Sequence, residues 1–233
     1  MLEILVSLPG FALVITLLAF CLGQVVQQRA GNHPLLNPVT FAMVVLISLL
    51  LLLEIPYEDY FQDAQFIHFL LGPATVALAV PLYRQLPLLK RLWLPILSSI
   101  VIAVSATALG AAYLGKALGM PEAMSQSMTM KSVTIPVAMG ISDKIGMMTS
   151  MTILFVMITG NLGSIIGSGV LRRVGVTDPK VVGLALGATS HGQGAATAFQ
   201  LHPEAGAFAG LAMALTAITA SLLVPAFFAL GWL

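Results

Sequence analysis

Long uncharged stretches separated by short charged ones set the pattern of this chain. Uncharged intervals cover residues 4–28, 30–53, 64–83, 92–115, 145–171, 181–203 and 205–233. A hydrocarbon core about 30 Å thick needs about 20 apolar residues of helix, and every one of these intervals is long enough. The pattern predicts a polytopic helical membrane protein. A transmembrane β-barrel would alternate apolar and polar residues in short segments, and no such alternation runs through the chain. The first interval has the length of a signal peptide. However, Glu3 precedes it where a basic region would stand, and no clear small-x-small cleavage site follows. It is read as a retained first helix.

Composition agrees with this reading. Hydrophobic residues make up 58% of the 233 positions and charged residues 8%, with a mean hydropathy of +1.00. A soluble domain carries roughly 25% charged residues, so a water-soluble enzyme is excluded. The net charge of +1 excludes a polybasic nucleic-acid binder. Cys21 is the one cysteine, which excludes an internal disulfide and any cysteine-rich metal site.

The placement of Lys and Arg predicts an orientation. Arg29 stands in the first loop. Glu54, Glu58, Asp59 and Asp63 stand in loop 54–65 without a basic residue. Arg84, Lys90 and Arg91 stand in loop 84–91, and Arg172, Arg173 and Lys180 in loop 172–180. The first three loops alternate inside, outside, inside, with the N-terminus outside. Tyr57, Tyr60 and Phe61 suit an interfacial aromatic belt, and Pro34, Pro38, Pro56 and Pro87 fall at span edges, where a missing N–H matters least. Lys116 is then outside and Arg172 inside, so segment 121–146 must start and end outside if the rule is to hold throughout.

That segment is also the most polar of its length. Ser125-Gln126-Ser127-Met128-Thr129-Met130-Lys131-Ser132-Val133-Thr134-Ile135-Pro136 holds several hydroxyls, a lysine and a proline. A second unusual stretch has its centre at Gly187-Ala188-Thr189-Ser190-His191-Gly192-Gln193-Gly194-Ala195-Ala196-Thr197. Both are about membrane length, and both are poor hydrophobic helices. Broken backbone survives in a membrane only when buried in protein or lining a wet cavity. Secondary transporters bind substrates at such broken helices, whose half-helix N-termini face anionic groups. Each segment follows one long span, 92–115 or 149–171, so the two units form an inverted repeat if those spans run oppositely.

Each residue has a plainer reading beside the functional one. Lys131 could snorkel to an interface, although a lysine at depth usually marks function. His191 could be a packed, hydrogen-bonded ring, or it could relay a proton or contact an anion. Ser132, Thr134 and Ser190 could be helix–helix glue, but they neighbour Lys131 or His191. Gly192 and Gly194 could serve close packing, and Pro136 could simply break the helix. Asn161 is read as interhelical glue, His68 and His202 as interfacial, and the methionines of 120–157 as adaptable packing. No metal-ligand spacing, phosphate loop or nucleophile–base pair stands out. Neither an enzyme nor a cofactor or metal site is expected.

Lys131-Ser132-Val133-Thr134-Ile135-Pro136-Val137-Ala138 and Gly187-Ala188-Thr189-Ser190-His191-Gly192-Gln193-Gly194 resemble the two hallmark stretches of the LrgB/CidB family. That family includes the plastidial glycolate/glycerate translocator. Tyr57-Glu58-Asp59-Tyr60-Phe61, Asn37-Pro38, residues 71–83 and Glu204-Ala205-Gly206-Ala207-Phe208 add to the resemblance, which runs from about Pro34 to Pro225. It implies a multi-pass protein of the bacterial inner membrane, often working beside a small LrgA/CidA-type membrane protein. It also implies one of two functions. The first is transport of small carboxylates such as glycolate, glycerate or pyruvate. The second is a holin-like or antiholin-like auxiliary role in murein hydrolase activity and lysis. The chain departs from the family pattern at Thr197 and Gln200, which replace its usual Arg and Glu, and at Met130, which replaces its usual Pro.

These readings predict an all-α membrane protein with six full spans and two discontinuous or re-entrant segments. Residues 1–233 form one integral membrane domain. Spans within 4–91 form a scaffold, and 92–233 carries the broken segments near 121–146 and 181–203. The expected function is secondary transport of a small monocarboxylate, proton-coupled or by exchange, with the holin-like role as the alternative. The expected substrate-binding residues are Lys131, Ser132, Thr134, Ser190, His191, Gly192 and Gly194. Lys131 would attract the carboxylate and His191 would bind or relay a proton. The expected partners are a small carboxylate, the lipid bilayer, an LrgA/CidA-type protein and a second copy of the chain, with no nucleic acid.

Overall fold

A computed structural model describes residues 10–31, 36–70 and 86–233, together with residues 73, 76 and 83. Among the described residues every regular element is helical. The chain is an all-α, polytopic membrane protein, and four of its described helices are long and apolar enough to cross a membrane. It divides into two compact units, Met1–Ala77 and Leu78–Leu233.

The first unit contains α1 (Phe11–Arg29), α2 (Pro38–Leu52) and α3 (Tyr57–Phe69). α1 is an apolar span that packs on both α2 and α3. Gly23 lets α2 approach closely, since a Cβ there would lie 2.9 Å from the Pro38 carbonyl oxygen. Asn37 starts α2 by accepting hydrogen bonds from the backbone N–H groups of Val39 (2.9 Å) and Thr40 (3.3 Å). Pro38 then takes the first helical position, where its missing donor is not needed. At 15 residues, α2 reaches about 22 Å, less than the interval 30–53 allows.

Loop 54–65 is a correction to the sequence reading. From Tyr57 onward it is helical, as α3, and Asp63, one of its acidic residues, serves α1. Asp63 Oδ2 accepts from the backbone N–H of Ala12 at 3.3 Å, in the first turn of α1. There an anion offsets the positive end of the helix. Tyr60 Oη and Thr16 Oγ1 are 2.8 Å apart, and the rings of Tyr57 and Phe61 stack at 5.6 Å. Half of the predicted span 64–83 lies outside the described residues.

The second unit contains α4 (Leu86–Ala117), α5 (Glu122–Ser127), a 3₁₀ turn (Met128–Met130), α6 (Ile135–Ile145), α7 (Thr149–Arg173), α8 (Pro179–Leu201) and α9 (Pro203–Ala229). α9 is the central helix. Of its apolar window 44% is buried, against 22% for α4 and for α7. Leucines and isoleucines on the other faces, such as Ile102, Leu162, Ile218 and Leu222, are exposed, as lipid-facing residues must be. The buried core joins Ile100, Val104, Ala108 and Ala112 of α4 to Met130, Val133, Ala138, Val156, Ala212, Ala220 and Val224.

Neither polar segment crosses the unit. The first leaves α4 and returns to the same end. Ser127 Oγ, near its start, donates to the Met148 carbonyl (3.3 Å) at its finish. α6 and α7 form an antiparallel pair across the Gly146 turn, where Ser142 Oγ donates to Thr152 Oγ1 at 2.9 Å. The second segment, α8, has a single non-helical residue, His191 (φ 43°, ψ −129°). There the helix folds back on itself. A Cβ on Gly194 would collide with the Leu186 carbonyl oxygen, eight positions earlier. In a straight helix those residues would be about 12 Å apart. Leu186 therefore shares a core cluster with Ala195 and Ala198 of the returning half.

α9 then runs parallel to the first half of α8. Gly183 lies against the Ala205 carbonyl and Gly187 against the Ala209 carbonyl. At the common base, Lys180 Nζ is 3.8 Å from Glu204 Oε1 and 3.8 Å from Asp178 Oδ1. Each long helix, α4 or α7, is thus followed by a segment that re-enters from the end where that helix finished. The two pairs are oppositely directed, which is the arrangement of an inverted repeat.

Candidate functional site

The two reversals reach the same depth. Ser142 of α6 pairs with Thr152 of α7. Continuing that antiparallel register by seven residues brings Ile135, the first residue of α6, level with Thr159. On the other side, His191 Nε2 lies 3.1 Å from the Val156 carbonyl oxygen, and its ring sits against Gly160. Residues 156–160 are near the middle of the 25-residue α7. Both breaks therefore fall at the midplane of the helix they share.

Glycines on α7 make the approach possible. Ser190 Oγ occupies the place of a Cβ on Gly163, and Leu186 Cδ2 stands 2.7 Å from one on Gly167. The first half of α8 climbs α7 along this seam in the order Leu186, Ser190, His191. Gly160 lies under both His191 and Gln193. Gln193 Nε2 donates to Asn161 Oδ1 at 3.4 Å, and Asn161 Nδ2 donates to the Met157 carbonyl at 2.9 Å.

His191 is buried, in a backbone conformation close to glycine-only territory. Held there, a histidine stores roughly 1–3 kcal/mol of strain. A His191→Gly variant is therefore expected to be more stable than His191→Ala, by about 1–2 kcal/mol. That reverses the ordinary helix-interior order, in which Gly loses about 1 kcal/mol to Ala. Thermal unfolding of both purified variants in detergent checks this. An alanine variant that unfolds at the higher temperature would show that the reversal is not held at residue 191.

The other expected site residues divide by surroundings. Lys131 is half-buried between the 3₁₀ turn and α6, and its Nζ donates to Ser132 Oγ at 3.3 Å. Ser132 is buried. Thr134 is the N-cap of α6 but makes no side-chain cap, so the first amides of α6 are not satisfied by its hydroxyl. Ser190 is fully buried, with its hydroxyl turned into the α7 seam 3.3 Å from Thr189 Oγ1. Gly192 has open space where a Cβ would stand, whereas Gly194 is pressed against the first half of α8. Lys131 and His191 share no hydrogen bond, and each belongs to its own reversal. Thr197 and Gln200 lie on the returning half, nearly two turns or more below His191, and Gln200 is exposed. Among the described residues no group of His, Cys, Asp and Glu could hold a metal ion.

Sequence reasoning missed the Val156 carbonyl, and it missed Gly160 and Gly163 on either side of Asn161. The Gly160, Gly163 and Gly167 spacing was the available signal, because small residues three or four apart let membrane helices touch.

A model of the LrgB-like family matches residues 16–230. An uncharacterised protein of Haemophilus influenzae is 34% identical over 93% of each chain. The uncharacterised protein YwbG of Bacillus subtilis is 33% identical over 89% of this chain and 92% of its own length. Proteins of Bacillus cereus named antiholin-like protein LrgB are 30% identical over 94% of this chain and 95% of theirs. No solved structure matches.

Proposed function

The chain belongs to the LrgB-like family, and from that premise we propose that it is a secondary transporter of a small monocarboxylate, driven by protons or by exchange. The observation that carries the reading is the meeting of two re-entrant segments, from opposite ends, at one depth on α7. One brings a lysine and an uncapped helix N-terminus, and the other brings a buried histidine. Amide groups at a helix N-terminus and a nearby cation suit a carboxylate. A site reached by one broken segment from each side suits alternating access. The proposal involves no enzymatic step. It places the chain in the bacterial inner membrane, with Arg172 and Arg173 at the cytoplasmic end of α7. α8 then re-enters from the cytoplasm and the 121–147 segment from outside. Self-association and a small LrgA/CidA-type membrane partner belong to the same proposal.

A second reading has a specific observation in its favour. The Bacillus cereus relatives carry the name antiholin-like, and none of the relatives' names given above mentions a carboxylate. The names back an auxiliary of a holin-like system more directly than they back a carrier, while the geometry favours the carrier. Purified protein in liposomes separates the two. Labelled glycolate, glycerate, pyruvate and lactate are offered with and without an inward proton gradient. The carrier reading expects saturable uptake of one acid, inhibited by its analogues. Unselective leak, or no uptake even with the partner co-reconstituted, would replace it with the auxiliary reading.

A further inference from the structure

Thr216 lies in the middle of α9 and is 2% exposed, and its Oγ1 has no hydrogen-bond partner among the described residues. Ser125 Oγ and Gln193 Oε1 are the other buried side-chain atoms without a partner among the described residues. Several helical hydroxyls instead donate to the carbonyl four residues back. Thr107 bonds to Ala103 at 2.7 Å, Thr189 to Ala185 at 2.7 Å and Ser221 to Ala217 at 2.8 Å. A buried hydroxyl without a partner is destabilising, and such exceptions mark ligand contacts or functional sites.

Its position gives the hydroxyl a use. One face of α9 presents Ala205, Ala209, Ala212, Thr216 and Ala220, all buried. The lower part of this face holds the first half of α8, through Gly183 at Ala205 and Gly187 at Ala209. One more turn of that parallel register brings Met213 level with His191, where α8 turns back. Thr216 is the next position on the face beyond the reversal. Ala212 and Ala220, four residues to either side, both belong to the core with Met130 and Val133, which flank Lys131, and with Val156, whose carbonyl faces His191. Thr216 therefore stands within one turn of the His191 level, on an α9 face whose flanking alanines pack on core residues beside both reversals.

We infer that Thr216 is a further substrate-contacting residue, whose hydroxyl hydrogen-bonds a small carboxylate held between the two reversals. The inference rests on the carrier reading. It adds an uninterrupted helix to a site otherwise made of two broken ones, so the anion is gripped on three sides.

The test is uptake kinetics of the full chain in liposomes, normalised to folded protein, for wild type, Thr216→Val and Thr216→Ser. The acid is whichever of glycolate, glycerate, pyruvate and lactate the wild type transports. Valine keeps the shape and removes the hydroxyl. Its KM is expected to rise about fivefold or more, while its thermal midpoint stays level or rises, because no existing hydrogen bond is lost. Serine is expected to keep the wild-type KM. A valine variant with unchanged KM overturns the inference and leaves the carrier reading standing. So does one whose uptake falls only in step with its folded fraction. A wild type that transports none of the acids, with or without the partner, overturns both.

Discussion

Lys131→Ala is expected to lower carboxylate uptake by about 10- to 100-fold, the equivalent of losing one charge-assisted hydrogen bond of about 1.5–3 kcal/mol. The protein should still fold. The Lys131 side chain makes one hydrogen bond, to Ser132, and no salt bridge among the described residues. A lysine at membrane depth opposes insertion by at least about 2.5 kcal/mol, so alanine removes a burden from the fold. The expected pattern is near-normal yield and thermal midpoint with almost no uptake. Lys131→Arg should restore part of the activity, because it keeps the charge and changes its shape. Uptake measured beside a melting curve decides the matter. Normal transport by a folded alanine variant would take the anion site away from the first reversal.

Gly194→Val is the second large effect, and it acts on the fold. A Cβ at this position meets the Leu186 carbonyl oxygen and lies 2.8 Å from Ser190 Cβ. Backbone cannot swing aside as the end of a side chain can. The first half of α8 is itself pinned to α9 by Gly183 and Gly187 and to α7 by Ser190 against Gly163. Overpacking of this kind costs about 3 kcal/mol or more. The variant is expected to give little folded protein in membranes, whatever its chemistry. Gly192→Ala is the matched control, two residues away with open space around it, and it should fold as the wild type does. If Gly194→Val folds normally, α8 is not a closed hairpin.

Much of this arrangement is legible in residue order, for physical reasons. Charges cannot be left in the hydrocarbon, so their spacing marks α1, α4, α7 and α9 directly. The two broken segments stand out because Lys131, Ser132, His191 and the glycines around it are poor lipid-facing residues. The parity of the basic loops requires 121–146 to begin and end on one side, and Ser127 bonded to Met148 is how the chain does it. The acidic stretch after Glu54 is read as a loop because charge and helix compete at a membrane surface. The structure resolves that competition by setting Asp63 on the first turn of α1.

The site is less legible. Gly192 and Gly194 are read from the sequence as close-packing or substrate-binding residues, and nothing there shows that the positive φ falls on His191. The ring's contacts with Val156 and Gly160 hold it there, and a backbone carbonyl leaves no mark in a sequence. Thr216 is one hydroxyl in an apolar span, indistinguishable by sequence from Thr219, about five ångströms of helix rise further on.

The hairpin at His191 also bears on how the protein is made. Residues 179–201 leave the ribosome as a segment too polar to partition into lipid unaided, and its own fold-back satisfies only part of its surface. Its glycine faces are completed by α7, already synthesised, and by α9, which emerges after it. Stable insertion of α8 is therefore expected only once Pro203–Ala229 stands beside it. The Lys180–Glu204 ion pair then joins the two at the end by which they came in. The expected consequence is that α9 acts as the template for the segment before it.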